Sequence, residues 1–157
     1  MNADLIQTQT QPPKKSADAL VVFGVTGDLA YKKIFPALYA MCQRGALKMP
    51  VIGVASSAWS IEQLRARVRQ SVEQMDDDLD PHALAQLLAA LHYVSGDYAN
   101  AATFDALRDA LNGAQRPAFY LAIPPALFPT VINSIKAASL AEDGRVIVEK
   151  PFGRDLA

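Results

Sequence analysis

Between Val21 and Leu38 the chain reads V-V-F-G-V-T-G-D-L-A-Y-K-K-I-F-P-A-L, an apolar run that passes through a glycine-punctuated turn into an amphipathic segment. The run Ala19 to Phe23 is apolar throughout, as a central parallel strand covered on both faces must be. Gly24 lets the chain turn sharply, and Gly27 removes the side chain where a helix begins near Asp28. Without Cβ atoms at those positions, a pyrophosphate can approach the backbone N–H groups at the positive end of that helix. The spacing is G-x-x-G-x-x-A, with Ala30 where the usual third glycine permits close helix-to-sheet packing. The turn therefore reads as a variant dinucleotide fingerprint, formed by Gly24, Val25, Thr26, Gly27, Asp28, Leu29 and Ala30. An ordinary strand-to-helix turn shares the Gly-x-x-Gly spacing, so the surrounding segments have to decide.

Composition narrows the field. At 157 residues and 51% hydrophobic content, the chain is one domain's worth with ample material for a core. A net charge of −1 gives no basic field for nucleic acid, so any anion must be held locally. The single cysteine, Cys42, lies in the apolar stretch A-L-Y-A-M-C, which excludes an internal disulfide and marks it as a helix core residue. No run approaches a membrane span, and a cytoplasmic protein is expected. Residues 1–17, rich in Gln, Thr, Pro and Lys, read as a flexible tail.

From Asp18 onward β-like and helical runs alternate. Strands are expected over 19–24, 50–55, 91–95, 117–122 and 145–149, and helices over 28–44, 60–75, 81–90, 101–112 and 126–138. This is the pattern of a Rossmann-type α/β fold, a doubly wound parallel sheet with helices on both faces and strand order 3-2-1-4-5. Ser60 with Gln63 has capping-box spacing, and Asp80-Pro81 reads as an N-cap followed by a first-turn proline. The acidic run Asp76, Asp77, Asp78 and Asp80 lacks the central glycine of an oxygen-ligand loop and reads as a solvated connection.

Ligands of open α/β sheets bind at the carboxyl ends of the strands. After strand 1, Thr26 offers a hydroxyl to phosphate, and Asp28 is better placed to cap helix N–H groups than to meet an anion. Lys32 and Lys33 either offset pyrophosphate charge or are solvated helix lysines. After strand 2 the residue facing the adenosine ribose is acidic for NAD or arginine for NADP. Ala55-Ser56-Ser57-Ala58 supplies neither, leaving hydroxyls, backbone N–H groups and a more distant cation for a 2′-phosphate. After strand 3, Gly96 allows close approach, and Asp97 and Tyr98 border the adenine or form a simple turn. After strand 4, Pro124-Pro125 forms either a rigid ledge under the ribose and nicotinamide half of a cofactor, with Phe128 just inside the next helix, or a simple strand stop with Phe128 in the core. After strand 5, with Val146, Ile147 and Val148 read as buried, Glu149 and Lys150 emerge as a charged pair, Lys150 either placed for a sugar hydroxyl or a phosphate or simply an exposed lysine before a turn.

Taken together, G-V-T-G-D-L-A-Y-K-K at 24–33, F-Y-L-A-I-P-P at 119–125 and V-E-K-P-F-G-R-D at 148–155 resemble the N-terminal coenzyme domain of the glucose-6-phosphate dehydrogenases. The resemblance implies an NADP-dependent oxidation of the C1 hydroxyl of β-D-glucose 6-phosphate to 6-phosphogluconolactone, in the pentose phosphate pathway. It implies coenzyme contacts from Gly24 to Tyr31 and at Asp97, Tyr98, Pro124 and Phe128, with Lys150 touching both coenzyme and sugar phosphate. The arginine that the family sets against the 2′-phosphate falls at Ser56, which leaves NADP against NAD open. The family's catalytic histidine belongs to a larger β+α domain, and neither His82 nor His92 sits at a strand's carboxyl end. The sequence is accordingly expected to be a fragment, inactive alone, of a homo-oligomeric enzyme. A stand-alone nucleotide-binding regulatory module is the alternative. A short-chain reductase is disfavoured, because none of the five tyrosines has a lysine four residues on.

Overall fold

The computed structural model describes residues 16–140 and 143–148. Five strands form one parallel sheet: β1 (Ala19–Phe23), β2 (Val51–Ala55), β3 (Leu91–Ser95), β4 (Pro117–Leu121) and β5 (Arg145–Val148). Their order is β3-β2-β1-β4-β5, as the fingerprint implies, with Val21 opposite Ile52 on one side and Phe119 on the other. Helices α1 (Phe35–Gln43), α2 (Ile61–Met75), α3 (Pro81–Ala90), α4 (Ala101–Leu111) and α5 (Phe128–Ala137) cover the two faces.

Because side chains alternate along a strand, β1 feeds two separate cores. Leu20 and Val22 pack with Phe35, Tyr39, Leu64, Val68, Leu84 and Leu87 beneath α1, α2 and α3. Val21 and Phe23 pack with Phe104, Leu107, Phe119, Val131 and Ile135 beneath α4 and α5. Phe23 anchors the second core, its ring 5.9 Å from Phe104 and 6.2 Å from Phe119. Cys42 is a buried thiol of the first core, as its context predicts.

The helix starts follow the expected chemistry. Ser60 accepts from the Gln63 N–H at 3.1 Å while Gln63 accepts from the Ser60 N–H at 2.8 Å, a complete capping box on α2. Asp80 caps α3 ahead of Pro81, and the Asp76 carboxylate accepts from the Asp78 N–H, so the acidic run is a connection. Among the described residues no cluster of metal-ligating side chains forms and no helix is long and apolar enough to cross a membrane.

Four expectations are corrected. The first helix is not uniform: Ala30–Ile34 is a π-helical turn in which the Phe35 N–H reaches the Ala30 carbonyl. Pro36 explains it, since its ring clashes with a carbonyl four residues back and it has no N–H to give. The helix expected over 126–138 begins as a 3-10 turn, Pro125–Leu127, before α5. Val146, Ile147 and Val148 are exposed rather than buried (41%, 38% and 46%), because β5 is the edge strand and among the described residues no helix covers its faces. Finally, residues 1–15 lie outside the described residues, but Ser16 and Ala17, assigned to the tail, belong to the folded body: the Ser16 carbonyl accepts from Arg116 at 3.0 Å and Ala17 packs on the first core.

Asp18 closes the amino end of β1 onto β4. Its carboxylate accepts the N–H groups of Gln115 at 2.8 Å and Arg116 at 2.7 Å, with the Arg116 guanidinium 3.9 Å away. Burial alone would raise its pKa, but those N–H groups and that guanidinium outweigh it and hold the carboxyl below its usual range. A depressed pKa in the folded state stabilises above the unfolded value of about 3.9 and is lost as pH falls through the folded value. Asp18→Asn is therefore expected to cost about 1 kcal/mol at neutral pH, a deficit that shrinks as pH falls through the lowered folded value. Chemical denaturation of both proteins at pH 7 and pH 2 measures this, and an equal deficit at both pH values would refute the assignment.

Candidate functional site

The carboxyl end of β1 is built by glycines with different tasks. Gly24 has φ +82°, and a Cβ there would lie 2.1 Å from the Ala122 carbonyl oxygen, so the turn is pressed against the chain leaving β4. Its N–H continues the ladder to the Val54 carbonyl at 2.8 Å. Val25 then dives fully into the core. Gly53, in the middle of β2, makes room for it: a Cβ there would sit 2.6 Å from the Val25 side chain.

Gly27 differs from both. Its backbone lies outside the left-handed region, and an added Cβ would meet only the Gly24 carbonyl, at an ordinary 3.4 Å. The protein leaves that space open. Beyond it, the N–H groups of Asp28, Leu29 and Ala30 have no acceptor among the described residues, the orphan donors of a helix start. Asp28 was expected to cap them, and it does not. Its exposed carboxylate instead faces Arg67 of α2 at 3.8 Å, which leaves the helix end free for an anion. Ala30 is fully buried, as the third small residue of the fingerprint should be.

Two contacts that sequence reading missed frame this opening. Thr26 Oγ1 lies 3.0 Å from Ser57 Oγ, joining the glycine turn to the loop after β2. The Ser57 carbonyl accepts from the Tyr93 hydroxyl and from Ser95 Oγ, so β3 fixes that loop's height. Burial pushes the Tyr93 hydroxyl pKa up, against a lowering by Ser95, which keeps it a donor. Ser56 remains exposed, and its side chain has no hydrogen bond among the described residues. On the other side, Tyr31 is half-buried under the Arg67 guanidinium, whose carbon is 4.2 Å from the ring centroid. The Tyr31 carbonyl, deprived of a donor by Pro36, accepts from buried Ser71 Oγ.

The remaining expected residues divide. Tyr98 serves the fold: its hydroxyl donates to the Val54 carbonyl at 3.3 Å, its ring meets Phe23 edge-on at 5.7 Å, and burial pushes its pKa up to about 12. The Asp97 carboxylate accepts from the Ala99 N–H at 2.8 Å, the turn geometry, while remaining exposed. Gly96 serves packing, since a Cβ there would lie 2.2 Å from Thr103 Oγ1 on α4. Pro124 is exposed beside the Gly24 turn, its carbonyl accepting from Leu127, and Phe128 packs into the second core. Leu29 is half-buried on the opening helix. Glu149 and Lys150 lie outside the described residues.

A glycine turn at the central strand of a 3-2-1-4-5 parallel sheet, with open space and orphan N–H groups ahead of it, defines a doubly wound dinucleotide-binding domain. Comparison with known proteins makes the class specific. The family model described as "Glucose-6-phosphate dehydrogenase, NAD binding domain" matches residues 21–157, and the chain belongs to that family. It is 40% identical over 142 residues to glucose-6-phosphate 1-dehydrogenase 1 of Mycobacterium tuberculosis, covering 90% of this chain and 30% of the relative. It is 40% identical over 149 residues to the Saccharomyces cerevisiae glucose-6-phosphate 1-dehydrogenase, covering 87% of this chain and 30% of that one. The Mycobacterium avium enzyme structure superposes with a TM-score of 0.82 at 38% identity, over 88% of this chain and 31% of that chain. A glucose-6-phosphate dehydrogenase solved with its substrate glucose 6-phosphate gives 0.76 at 30% identity, over 91% and 32%. The chain thus spans about a third of its relatives' length or slightly less.

Proposed function

We propose that this chain is the coenzyme-binding part of a glucose-6-phosphate dehydrogenase, holding NADP, or NAD, while C1 of D-glucose 6-phosphate is oxidised to the lactone and hydride passes to the nicotinamide. The observation that carries the reading is the opening at Gly27: there is room for a Cβ there, left empty in front of three N–H groups that find no acceptor among the described residues. A pyrophosphate fits that chemistry, accepting from the N–H groups at the positive helix end, with Thr26 beside it. Tyr31, Asp97, Tyr98, Pro124 and Phe128 surround the nucleotide in this reading, and Lys150 contacts both coenzyme and sugar phosphate.

No histidine among the described residues stands at a strand's carboxyl end, so the hydride-coupled base belongs to another part of the enzyme. This chain alone accordingly binds coenzyme and turns over nothing. The reading also takes the whole enzyme to be cytoplasmic, as the name of a 34%-identical Arabidopsis thaliana relative has it, and to be a homo-oligomer. Calorimetric titration of the 157-residue chain with NADP and with NAD at low salt tests it. Saturable binding of either is the expected result. Absence of both from a folded chain would overturn the coenzyme role.

A further inference from the structure

The loop after β2 lacks the guanidinium that commonly meets a 2′-phosphate, and Ser56 stands there with only a hydroxyl. One helix further on, Arg67 has an environment that packing alone does not explain. Its Nε is buried with no hydrogen-bond partner, and none of its other N–H groups is hydrogen-bonded among the described residues. A guanidinium carries five donors, and a buried donor left unpaired is costly. Its contacts are a 3.8 Å approach to the exposed Asp28 carboxylate and the Tyr31 ring face.

Those contacts also locate it. Asp28 is two residues from Thr26, at most about 7 Å of backbone, and Thr26 is hydrogen-bonded to Ser57. Arg67 therefore stands beside the glycine turn, whose Thr26 is tied to the loop that faces the adenosine ribose. Stacking on Tyr31 holds the fork in one plane, so little freedom is lost when it grips an anion. Other cations near this turn are differently employed. Arg65 donates to the Leu88 carbonyl at 3.2 Å, and Lys32 lines the groove with Pro36, Ser71, Gln74 and Met75, towards the far end of α2.

We propose that Arg67 is the specificity-determining residue that binds the 2′-phosphate of NADP in place of the arginine missing at position 56. The assignment rests on the coenzyme reading above and extends it to the choice of coenzyme. A phosphate dianion can accept from the two terminal nitrogens, which are not buried as Nε is, and competes well with the long, solvent-screened contact to Asp28.

The test is calorimetric titration of the wild-type chain, Arg67→Gln and Arg67→Lys with NADP, NAD, adenosine 2′,5′-bisphosphate and AMP. Arg67→Gln is expected to weaken NADP and the bisphosphate by about tenfold or more while changing NAD and AMP less than about twofold. Arg67→Lys should fall between, since it keeps the charge and loses the fork. Circular dichroism verifies folding, and Arg67→Lys carries the comparison if the glutamine variant unfolds. Parallel loss of all four ligands would assign Arg67 to positioning Tyr31 and overturn the proposal. So would an unchanged NADP to NAD ratio, or a wild-type chain that binds NAD and not NADP, each leaving the coenzyme reading intact. A folded wild-type chain that binds neither coenzyme overturns both.

Discussion

Gly24→Ala is expected to destabilise the domain by about 3 kcal/mol and to lower its midpoint of thermal unfolding by roughly 6–12 °C. Two independent costs combine. The residue sits at φ +82°, where an L side chain adds roughly 1–2 kcal/mol of strain. The new Cβ would also lie 2.1 Å from the Ala122 carbonyl oxygen and 2.8 Å from Ile123 Cγ2. The Ala122 carbonyl is backbone, and the Ala122 N–H is itself bound to the Phe23 carbonyl at 2.9 Å, so the overlap with it is relieved only by prising the end of β4 from β1. Overpacking of this kind adds about 1–3 kcal/mol. Thermal unfolding followed by circular dichroism measures the effect. A midpoint within about 2 °C of wild type would show that the turn is far more compliant than its contacts imply.

The same turn shows what sequence can and cannot disclose. The sheet order was readable because five apolar runs alternate with helical ones and the glycine spacing marks β1 as central. Local signals were equally plain at Ser60, Asp80 and Pro81, where the chemistry of a helix start acts over three or four residues. What was not readable depends on partners far along the chain. Pro36 was visible, but that it turns Ala30–Ile34 into a π-helical turn, with Ser71 taking the freed carbonyl, requires a residue forty positions away. Asp28 looked like a cap until α2 placed Arg67 beside it. Apolar composition made β5 read as buried, because hydrophobicity reports affinity for cover and not whether cover is present. At the site, Thr26 and Gly27 were found through the fingerprint and Ser57 through its place after β2, whereas Tyr93, Ser95 and Arg67 carry no motif and become visible only once the strands are in register.

Gly27→Val should produce the opposite signature: coenzyme affinity lowered by about a hundredfold or more, with the unfolding midpoint within about 2 °C of wild type. Gly27 is outside the left-handed region and its added Cβ would touch only the Gly24 carbonyl at 3.4 Å, so the Cβ itself brings neither left-handed strain nor overlap. Replacing glycine also reduces the freedom of the unfolded chain, which offsets small packing losses. Binding has no such tolerance. The valine methyls would fill the space in front of the Asp28, Leu29 and Ala30 N–H groups, and a pyrophosphate held a side chain's width away forfeits those bonds and the favourable field of the helix end. Gly27→Ala should fall between the two. The paired measurement is titration and thermal unfolding on the same preparations. Unchanged affinity in a folded Gly27→Val protein would mean that the nucleotide does not approach this turn, and the glycine would then need an explanation that the contacts within the chain do not supply.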